Sequence, residues 1–354
     1  MVAVAVLLVR GQTVSGRMPL EPPTGTGAEK NISCLLVFGD STVDSGNNNH
    51  LDTTMKANFP PYGIDFFVGL RAHPTGRHSD GKLPGDLIAE MLGISSSIPA
   101  YLDYPAHTDI VLTRGASFAS AGAGLDETTD ASKNVMPFSK QIELLKQYKE
   151  NLSSLIGPAG AQTALENALV IVSAGTFDFI ENYLVLPDRR TQFTPEQYAD
   201  YLVLQLSNNV EAIRAVGPKK FALMELGPIG CLPLIRTRYG QGYCHSPTTD
   251  MAVTFNSKQR AAAAELEQKF NLNITIIRAY DVMLYAISSA KKFGFDVVDT
   301  GCCGNGTTDY GEGCKMKDVC DKPKTFLFFD AVHPSETMYR YIAQKLIEDL
   351  PLAK

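Results

Sequence analysis

No apolar run in this sequence is long enough to cross a membrane, and the chain carries little net charge. A transmembrane helix needs roughly 18 to 20 consecutive apolar residues, and no stretch of the 354 residues reaches that length. The 32 Lys and Arg residues nearly balance the 38 Asp and Glu residues, which leaves a formal net charge of −6. This mild acidity gives no reason to expect nucleic acid or an anionic membrane surface as a partner. There is also no internal repeat, so a repeat architecture is not indicated.

Two motifs that would indicate a cofactor are incomplete. The glycine-rich stretch at residues 301–313 lacks the GKS or GKT ending of a phosphate-binding loop, so a nucleotide site is not expected. Cys302, Cys303, Cys314 and Cys320 lie close together, but the adjacent pair lacks the CxxC spacing that zinc sites favour. We therefore expect no metal and no organic cofactor, and we keep a zinc site at these four cysteines as the alternative to disulfides.

The pattern of apolar segments predicts an α/β fold. Hydrophobic residues make up 44% of the chain, which is ordinary for a globular protein with a sizeable core. Apolar runs between turn residues predict strands at 35–38, 169–173, 221–226 and 274–277, with a weaker candidate at 116–119. Helical patterns lie between them at 139–148, 195–216, 251–270 and 282–293, and a last helix follows Ser335. Alternating strands and helices predict a parallel sheet covered on both faces.

Two short segments near opposite ends of the chain carry the chemistry. FGDS at residues 38–41 places Ser41 just after an apolar strand, and DAVHP at 330–334 supplies Asp330 and His333. A serine hydroxyl becomes a nucleophile only when a base takes its proton and a third group orients that base. We therefore predict acyl transfer at the carboxyl end of the first strand, beside a helix N-terminus whose amides could stabilise negative charge. Alternatively, Asp40 and Ser41 are N-cap residues, and Asp330 caps the last helix.

Several ordered motifs resemble those of the plant GDSL-type esterases and lipases of the SGNH hydrolase superfamily. They are FGDSTVDSGNNN at 38–49, GRHSDGK at 76–82, RGASFASAGAG at 114–124, SAGTFDFIENY at 173–183, LGPIGCLP at 226–233, CCGNG at 302–306 and FFDAVHPSE at 328–336. The resemblance spans about residues 33 to 350 and implies a flavodoxin-like three-layer α/β/α sandwich with a central parallel sheet of about five strands. It also implies ester hydrolysis through an acyl-enzyme on Ser41, with the oxyanion held by the backbone amides of Ser41 and Gly122.

Two positions depart from the family pattern. Phe177 stands where the family block SxGTNDF has an Asn whose side chain donates to the oxyanion, and Ser117 replaces the Asn of NFAS. Loss of one oxyanion donor typically lowers turnover by roughly 100- to 1000-fold. The alternatives are a weakly active or non-catalytic ligand-binding protein, or an acyltransferase with the same triad. The remaining histidines lack a partner motif and are interpreted as structural: His50, His73, His78, His107 and His245.

The remaining features favour export. The apolar run at residues 2–9, followed by small residues at 14–16, resembles a secretory signal, although Arg10 follows the run and no basic residue precedes it. We interpret residues 1–30 as a signal peptide and flexible lead-in, and residues 31–354 as one hydrolase domain.

Glycosylation sequons begin at Asn31, Asn151, Asn273 and Asn305. In an oxidising compartment we expect local bridges between Cys231 and Cys244 and within the late cysteine cluster, with Cys34 as a free, buried thiol. We expect a secreted protein acting on small-molecule or polysaccharide esters; the oligomeric state is not indicated.

Overall fold

The structure, a computed structural model, describes residues 32–67, 73–103, 109–131 and 133–351. The interpreted signal peptide and lead-in at residues 1–30 lie outside the described residues, as do the sequon residue Asn31 and His107. Among the described residues, no helix is both long and apolar enough to span a membrane.

The centre of the fold is a parallel five-stranded sheet in the order β2-β1-β3-β4-β5. Its strands are β1 Leu35–Gly39, β2 Gly115–Ser117, β3 Leu169–Ser173, β4 Lys220–Met224 and β5 Asn273–Ile277. Strands β1 and β3 are buried throughout, because they lie inside the sheet and are covered on both faces. The predicted sheet is confirmed, and its strand bounds differ from the sequence prediction by two residues or fewer.

Helices cover both faces of the sheet. They are α1 Pro84–Met91, α2 Asp109–Arg114, α3 Glu127–Asp130, α4 Phe138–Glu166, α5 Asp188–Gln192, α6 Pro195–Val216, α7 Pro233–Arg238, α8 Ser246–Phe270, α9 Ala279–Ser288 and α10 Glu336–Asp349. Helix α6 packs between α4 and α8, while α10 packs against α1 and α9. The predicted three-layer α/β/α sandwich is therefore confirmed.

Helix ends are where the sequence prediction was wrong. Helix α4 continues past Tyr148 to Glu166 across a kink at Gly157, where the φ of +78° favours glycine. Helix α8 begins at Ser246, five residues before the predicted start at Met251. The helix predicted at 282–293 is two elements, α9 and a 3₁₀ helix at Ala290–Phe293. They are separated at Ser289, whose φ of −129° and ψ of 38° are not helical.

A second, two-stranded parallel sheet positions the DAVHP segment and was not predicted. It pairs β6 Val297–Gly301 with β7 Phe326–Phe328. The loop between these strands carries the disulfides Cys302–Cys320 and Cys303–Cys314, and Cys231–Cys244 lies elsewhere. The predicted local bridges are confirmed, and the zinc alternative is wrong because these sulfurs are bonded to one another. Cys34 is free and buried, as predicted, and burial raises the pKa of its thiol to about 11.

Candidate active site

Ser41 lies in a tight turn at the carboxyl end of β1. The amide of Asp40 donates to the carbonyl of Ser173 in β3 (3.0 Å), and the amide of Thr42 donates to the Asp40 carboxylate (2.9 Å). Gly39 precedes this turn with a φ of +140°, and a Cβ there would lie 1.9 Å from the Ser173 carbonyl oxygen, so the close approach requires glycine. These contacts hold the Ser41 hydroxyl above the edge of the sheet.

The helix N-terminus expected beside Ser41 is not there. The first helix after Ser41 is a 3₁₀ helix at Asn47–His50, and Asp40 caps its own turn rather than a helix. The residues FGDSTVDSGNNN are rich in turn-forming Asp, Ser, Gly and Asn, which explains why the chain stays irregular here. Among the described residues, the turn that carries Ser41 is therefore not itself the N-terminus of a helix.

The structure brings Ser41, His333 and Asp330 into one hydrogen-bonded chain. The distance from Ser41 Oγ to His333 Nε2 is 2.8 Å, and that from His333 Nδ1 to Asp330 Oδ2 is also 2.8 Å. The backbone amides of Val332 and His333 donate to Asp330 Oδ1 at 2.8 and 2.7 Å. Asp330 does not cap the last helix, because that N-cap is Ser335.

Tyr62 extends this series of hydrogen bonds, and sequence reasoning missed it. Its fully buried hydroxyl donates to Asp330 Oδ2 (2.7 Å) and accepts from the Gly311 amide (2.8 Å). Burial alone would raise the pKa of Asp330, but the charge of His333 and the hydrogen bonds from His333 and Tyr62 hold that pKa below its ordinary value. Asp330 therefore stays ionised, as an orienting carboxylate must.

Ser41 lies where two clefts meet, and both also reach Phe177, Val332 and His333. The first, which we call the apolar cleft, encloses about 660 Å³. It is lined by Met224, Leu226, Ile229, Leu232, Met283 and Ile342, among others. The second, which we call the loop cleft, encloses about 630 Å³. It is lined by Thr54, Met55, His78, Tyr310 and residues 311–313. The two sides of Ser41 thus differ in their lining: aliphatic and methionine side chains line the apolar cleft, whereas His78, Tyr310 and Glu312 line only the loop cleft.

The two backbone amides expected to hold an oxyanion make no hydrogen bond within the described part of the chain. Among the described residues, neither the Ser41 amide nor the Gly122 amide has a hydrogen-bond acceptor. Gly122 has a φ of +85°, and a Cβ there would lie 3.0 Å from the Met55 side chain, which lines the loop cleft. Ser117, by contrast, donates its hydroxyl to the carbonyl of Val43 (2.9 Å), so it supports the segment after Ser41.

Phe177 lies in the site, and no nearby asparagine takes its place. The Phe177 side chain lines both clefts and is 8% exposed, with Lys133 Nζ 5.2 Å from the ring centroid. Asn182 lies buried in the π-helix Asp178–Val185, and its side-chain nitrogen already donates to other polar groups. The acceptors are Asp126, Thr128, Thr129 and Tyr198. The side-chain donor expected from the family block is therefore replaced by an apolar ring.

Phe177→Asn is expected to raise kcat for p-nitrophenyl butyrate by up to roughly 100-fold, because it returns a donor to the oxyanion side of Ser41. The matched control is Phe177→Leu, which removes the ring without adding a donor and should give no such gain. Steady-state kinetics of both variants checks this. Equal gains from Asn and Leu, or no gain from Asn, would show that residue 177 is not at the oxyanion position.

A cluster of buried carboxylates supports the segment that carries Phe177. Asp178 accepts hydrogen bonds from the amides of Leu125 (2.9 Å) and Asp126 (3.0 Å), and Asp130 accepts from the amide of Gly124 (2.7 Å). Asp130 Oδ2 has no partner among the described residues. Burial and then the charge of Asp178 raise the pKa of Asp130 to about 8. Because the proton is bound more tightly in the folded protein, the free energy of unfolding should fall as pH rises from about 4 to about 8.

Asp130→Asn is accordingly expected to raise the free energy of unfolding at pH 8 by about 1–3 kcal/mol, because it removes a buried, incompletely paired charge. At pH 5 the gain should be smaller, because only the part of the stability loss between about pH 4 and pH 5 has then occurred. Urea unfolding at the two pH values measures this, with the exposed Asp299→Asn as control. A stabilisation that is the same at both pH values would contradict the assignment to Asp130.

His78 is the second functional candidate that sequence reasoning missed, since it was interpreted as structural. Its ring centroid lies 4.9 Å from that of His333, and the residue lines the loop cleft. The one available signal was its position, since GRHSDGK has His where the family segment GRFSNGR has Phe.

A Ser–His–carboxylate chain at the carboxyl edge of a parallel sheet, with helices on both faces, is the arrangement of an α/β serine hydrolase. Residues 35–346 match the family described as GDSL-like lipase/acylhydrolase. Two GDSL esterases/lipases of Arabidopsis thaliana are 42% identical over 323 residues (91% of this chain, 89% of the relative) and 38% identical over 330 residues (90% and 87%). A third is 37% identical over 324 residues (90% and 91%). The chain therefore belongs to the GDSL-like lipase/acylhydrolase family and is a carboxylic ester hydrolase, as the motifs indicated.

Proposed function

We propose that this chain cleaves carboxylic esters in two steps through an acyl-enzyme on Ser41. The observation that carries the proposal is the chain of hydrogen bonds from Ser41 through His333 to Asp330, with 2.8 Å at each link. A serine that already shares a hydrogen bond with an oriented imidazole can lose its proton as it attacks.

The first step forms the acyl-enzyme. Ser41 Oγ attacks the carbonyl carbon while its proton passes to His333 Nε2, and Asp330 stabilises the imidazolium through Nδ1. The amides of Ser41 and Gly122 hold the oxyanion. The bond between the carbonyl carbon and the alcohol oxygen then breaks, and His333 returns the proton to the leaving alkoxide. In the second step, water attacks the acyl carbon while His333 takes its proton. The bond between the acyl carbon and Ser41 Oγ then breaks, His333 returns the proton to Ser41 Oγ, and the carboxylic acid leaves.

The two clefts divide the substrate between them. The aliphatic and methionine side chains of the apolar cleft favour a hydrocarbon acyl chain, because burying each methylene contributes about 0.8 kcal/mol. The loop cleft, which carries His78, Tyr310 and Glu312, is then left for the alcohol part. Lipid, acyl and acetyl-sugar esters all fit this division.

Partitioning between water and an added alcohol tests the two-step route. p-Nitrophenyl butyrate and phenyl butyrate form the same butyryl-enzyme, so in the presence of methanol both should give the same ratio of butyric acid to methyl butyrate. A ratio that changes with the leaving group would contradict a shared acyl-enzyme. A ratio dominated by methyl butyrate even at low methanol would favour the acyltransferase alternative, and no turnover of either ester would favour the non-catalytic one.

We also propose that the protein is exported. The three disulfides support an oxidising compartment, and the sequon residues Asn273 and Asn305 are exposed. The third described sequon residue, Asn151, is half-buried, and its side-chain amide donates to the Tyr101 hydroxyl. Expression of the full sequence in plant cells should yield the protein in the apoplastic wash, with a mass that falls on enzymatic deglycosylation. Retention inside the cell without glycans would contradict export.

A further inference from the structure

His78 is a buried polar side chain whose hydrogen-bonding capacity the fold does not use. Its side chain packs between Tyr62 and His333, at ring distances of 5.6 and 4.9 Å. Only 2% of the residue is exposed, and Nδ1 is enclosed without a hydrogen-bond partner. No described residue donates to or accepts from Nε2 either, so this nitrogen is available to a ligand in the loop cleft.

The imidazole of His78 is neutral at physiological pH. Burial, together with the charge of His333, lowers the pKa of His78 to about 3. A neutral imidazole has one donor and one acceptor nitrogen, which matches a hydroxyl group better than a charged group. The loop cleft also offers the phenol of Tyr310, whereas none of the described residues that line it is Lys or Arg, so these residues favour a neutral alcohol part over an anionic one.

His78 lies on the leaving-group side of Ser41. His333 Nε2 must return its proton to the leaving alcohol oxygen, so that oxygen lies within hydrogen-bond reach of the His333 ring in the proposed mechanism. His78 is in ring contact with His333 and lines the loop cleft but not the apolar cleft. With the acyl chain in the apolar cleft, as proposed above, the alcohol part of a bound ester passes beside His78.

We propose that His78 makes this enzyme selective for esters whose alcohol part carries free hydroxyl groups, by a hydrogen bond between Nε2 and one of those hydroxyls. This inference rests on the proposed function, because it needs the alcohol part in the loop cleft. It gives His78 a role that the phenylalanine of the resembling family segment could not fill, since a phenyl ring neither donates nor accepts.

A matched pair of substrates tests the selectivity. Glyceryl 1-monobutyrate and propyl butyrate share the acyl group and the three-carbon alcohol skeleton, and only the former has free hydroxyls. The wild type should show a kcat/KM about 10-fold higher for the glyceryl ester, the ratio expected from one added hydrogen bond. In His78→Phe, which keeps an aromatic ring against His333, that ratio should fall to about 1, because kcat/KM falls more for the glyceryl ester than for the propyl ester. His78→Gln, which retains a donor, should keep part of the preference.

Three outcomes separate the possibilities. An unchanged ratio in His78→Phe would overturn the inference. An equal loss on both esters would also overturn it, because His78 would then act on the shared ester chemistry rather than on the alcohol hydroxyls. Ser41→Ala addresses the proposed function separately: glyceryl ester hydrolysis that survives in this variant contradicts the serine mechanism, whatever His78 does. His50→Gln, at a residue that lines neither cleft and pairs with Asp103, serves as the control variant.

Discussion

Ser41→Ala is expected to lower kcat for p-nitrophenyl acetate and butyrate by roughly a million-fold, to the level left by binding and backbone amides alone. The reason is that no other described side chain is placed to replace the hydroxyl: the Ser41 oxygen is the one that His333 Nε2 contacts. Alanine fits the turn, because the contacts that hold it use the backbone of residues 39–43 and the side chain of Asp40. The fold should therefore persist while the chemistry is lost.

The control for this variant is Ser207→Ala, whose hydroxyl donates to the backbone of its own helix α6. It should retain wild-type turnover. Circular dichroism and thermal unfolding should be the same for wild type, Ser41→Ala and Ser207→Ala. Turnover in Ser41→Ala within tenfold of wild type would remove Ser41 from the mechanism.

Asp330→Asn is expected to lower kcat by roughly ten-thousand-fold, because an amide in this place favours the wrong tautomer of His333. Asp330 accepts from His333 Nδ1, two backbone amides and the Tyr62 hydroxyl, so an uncharged side chain that must also donate cannot satisfy this set. The loss should appear mainly in kcat, since Asp330 lines neither cleft.

Asp299→Asn, an exposed substitution in β6, is the matched control and should leave kcat unchanged. Thermal unfolding should show that Asp330→Asn still folds. A folded Asp330→Asn enzyme with near wild-type kcat would mean that another group orients His333 during turnover.

The sequence predicted the parts of the fold that continuous apolar runs encode. Strands β1, β3, β4 and β5 are short apolar segments between turn residues, and buried parallel strands require this composition. The order of Ser41, Asp330 and His333 along the chain also indicated the chemistry, because those three residue types together have few other uses. The two-stranded sheet escaped prediction because β6 reads VVDTG and is mostly half-exposed, so no apolar run marks it.

The site residues that sequence reasoning missed are those defined only by contacts in space. Tyr62 and Asp330 are 268 residues apart, and the local sequence around either residue does not indicate their hydrogen bond. His78 was interpreted as structural because it has no partner motif, and its unpaired nitrogens become visible only when its neighbours are known. At the turn after Ser41 the local sequence was the better guide. The position after a strand suggested a helix, but the local turn-forming residues favour a loop.

The most direct test of the account is fluorophosphonate labelling, which measures the reactivity of Ser41 with and without its base, His333. The wild-type protein and His333→Ala are each incubated with the probe, and the rate of labelling and the modified peptide are determined by mass spectrometry. The account predicts rapid modification of Ser41 in the wild type and modification slowed by several orders of magnitude in His333→Ala. Equal rates in the two proteins, or label on a different serine, would contradict it.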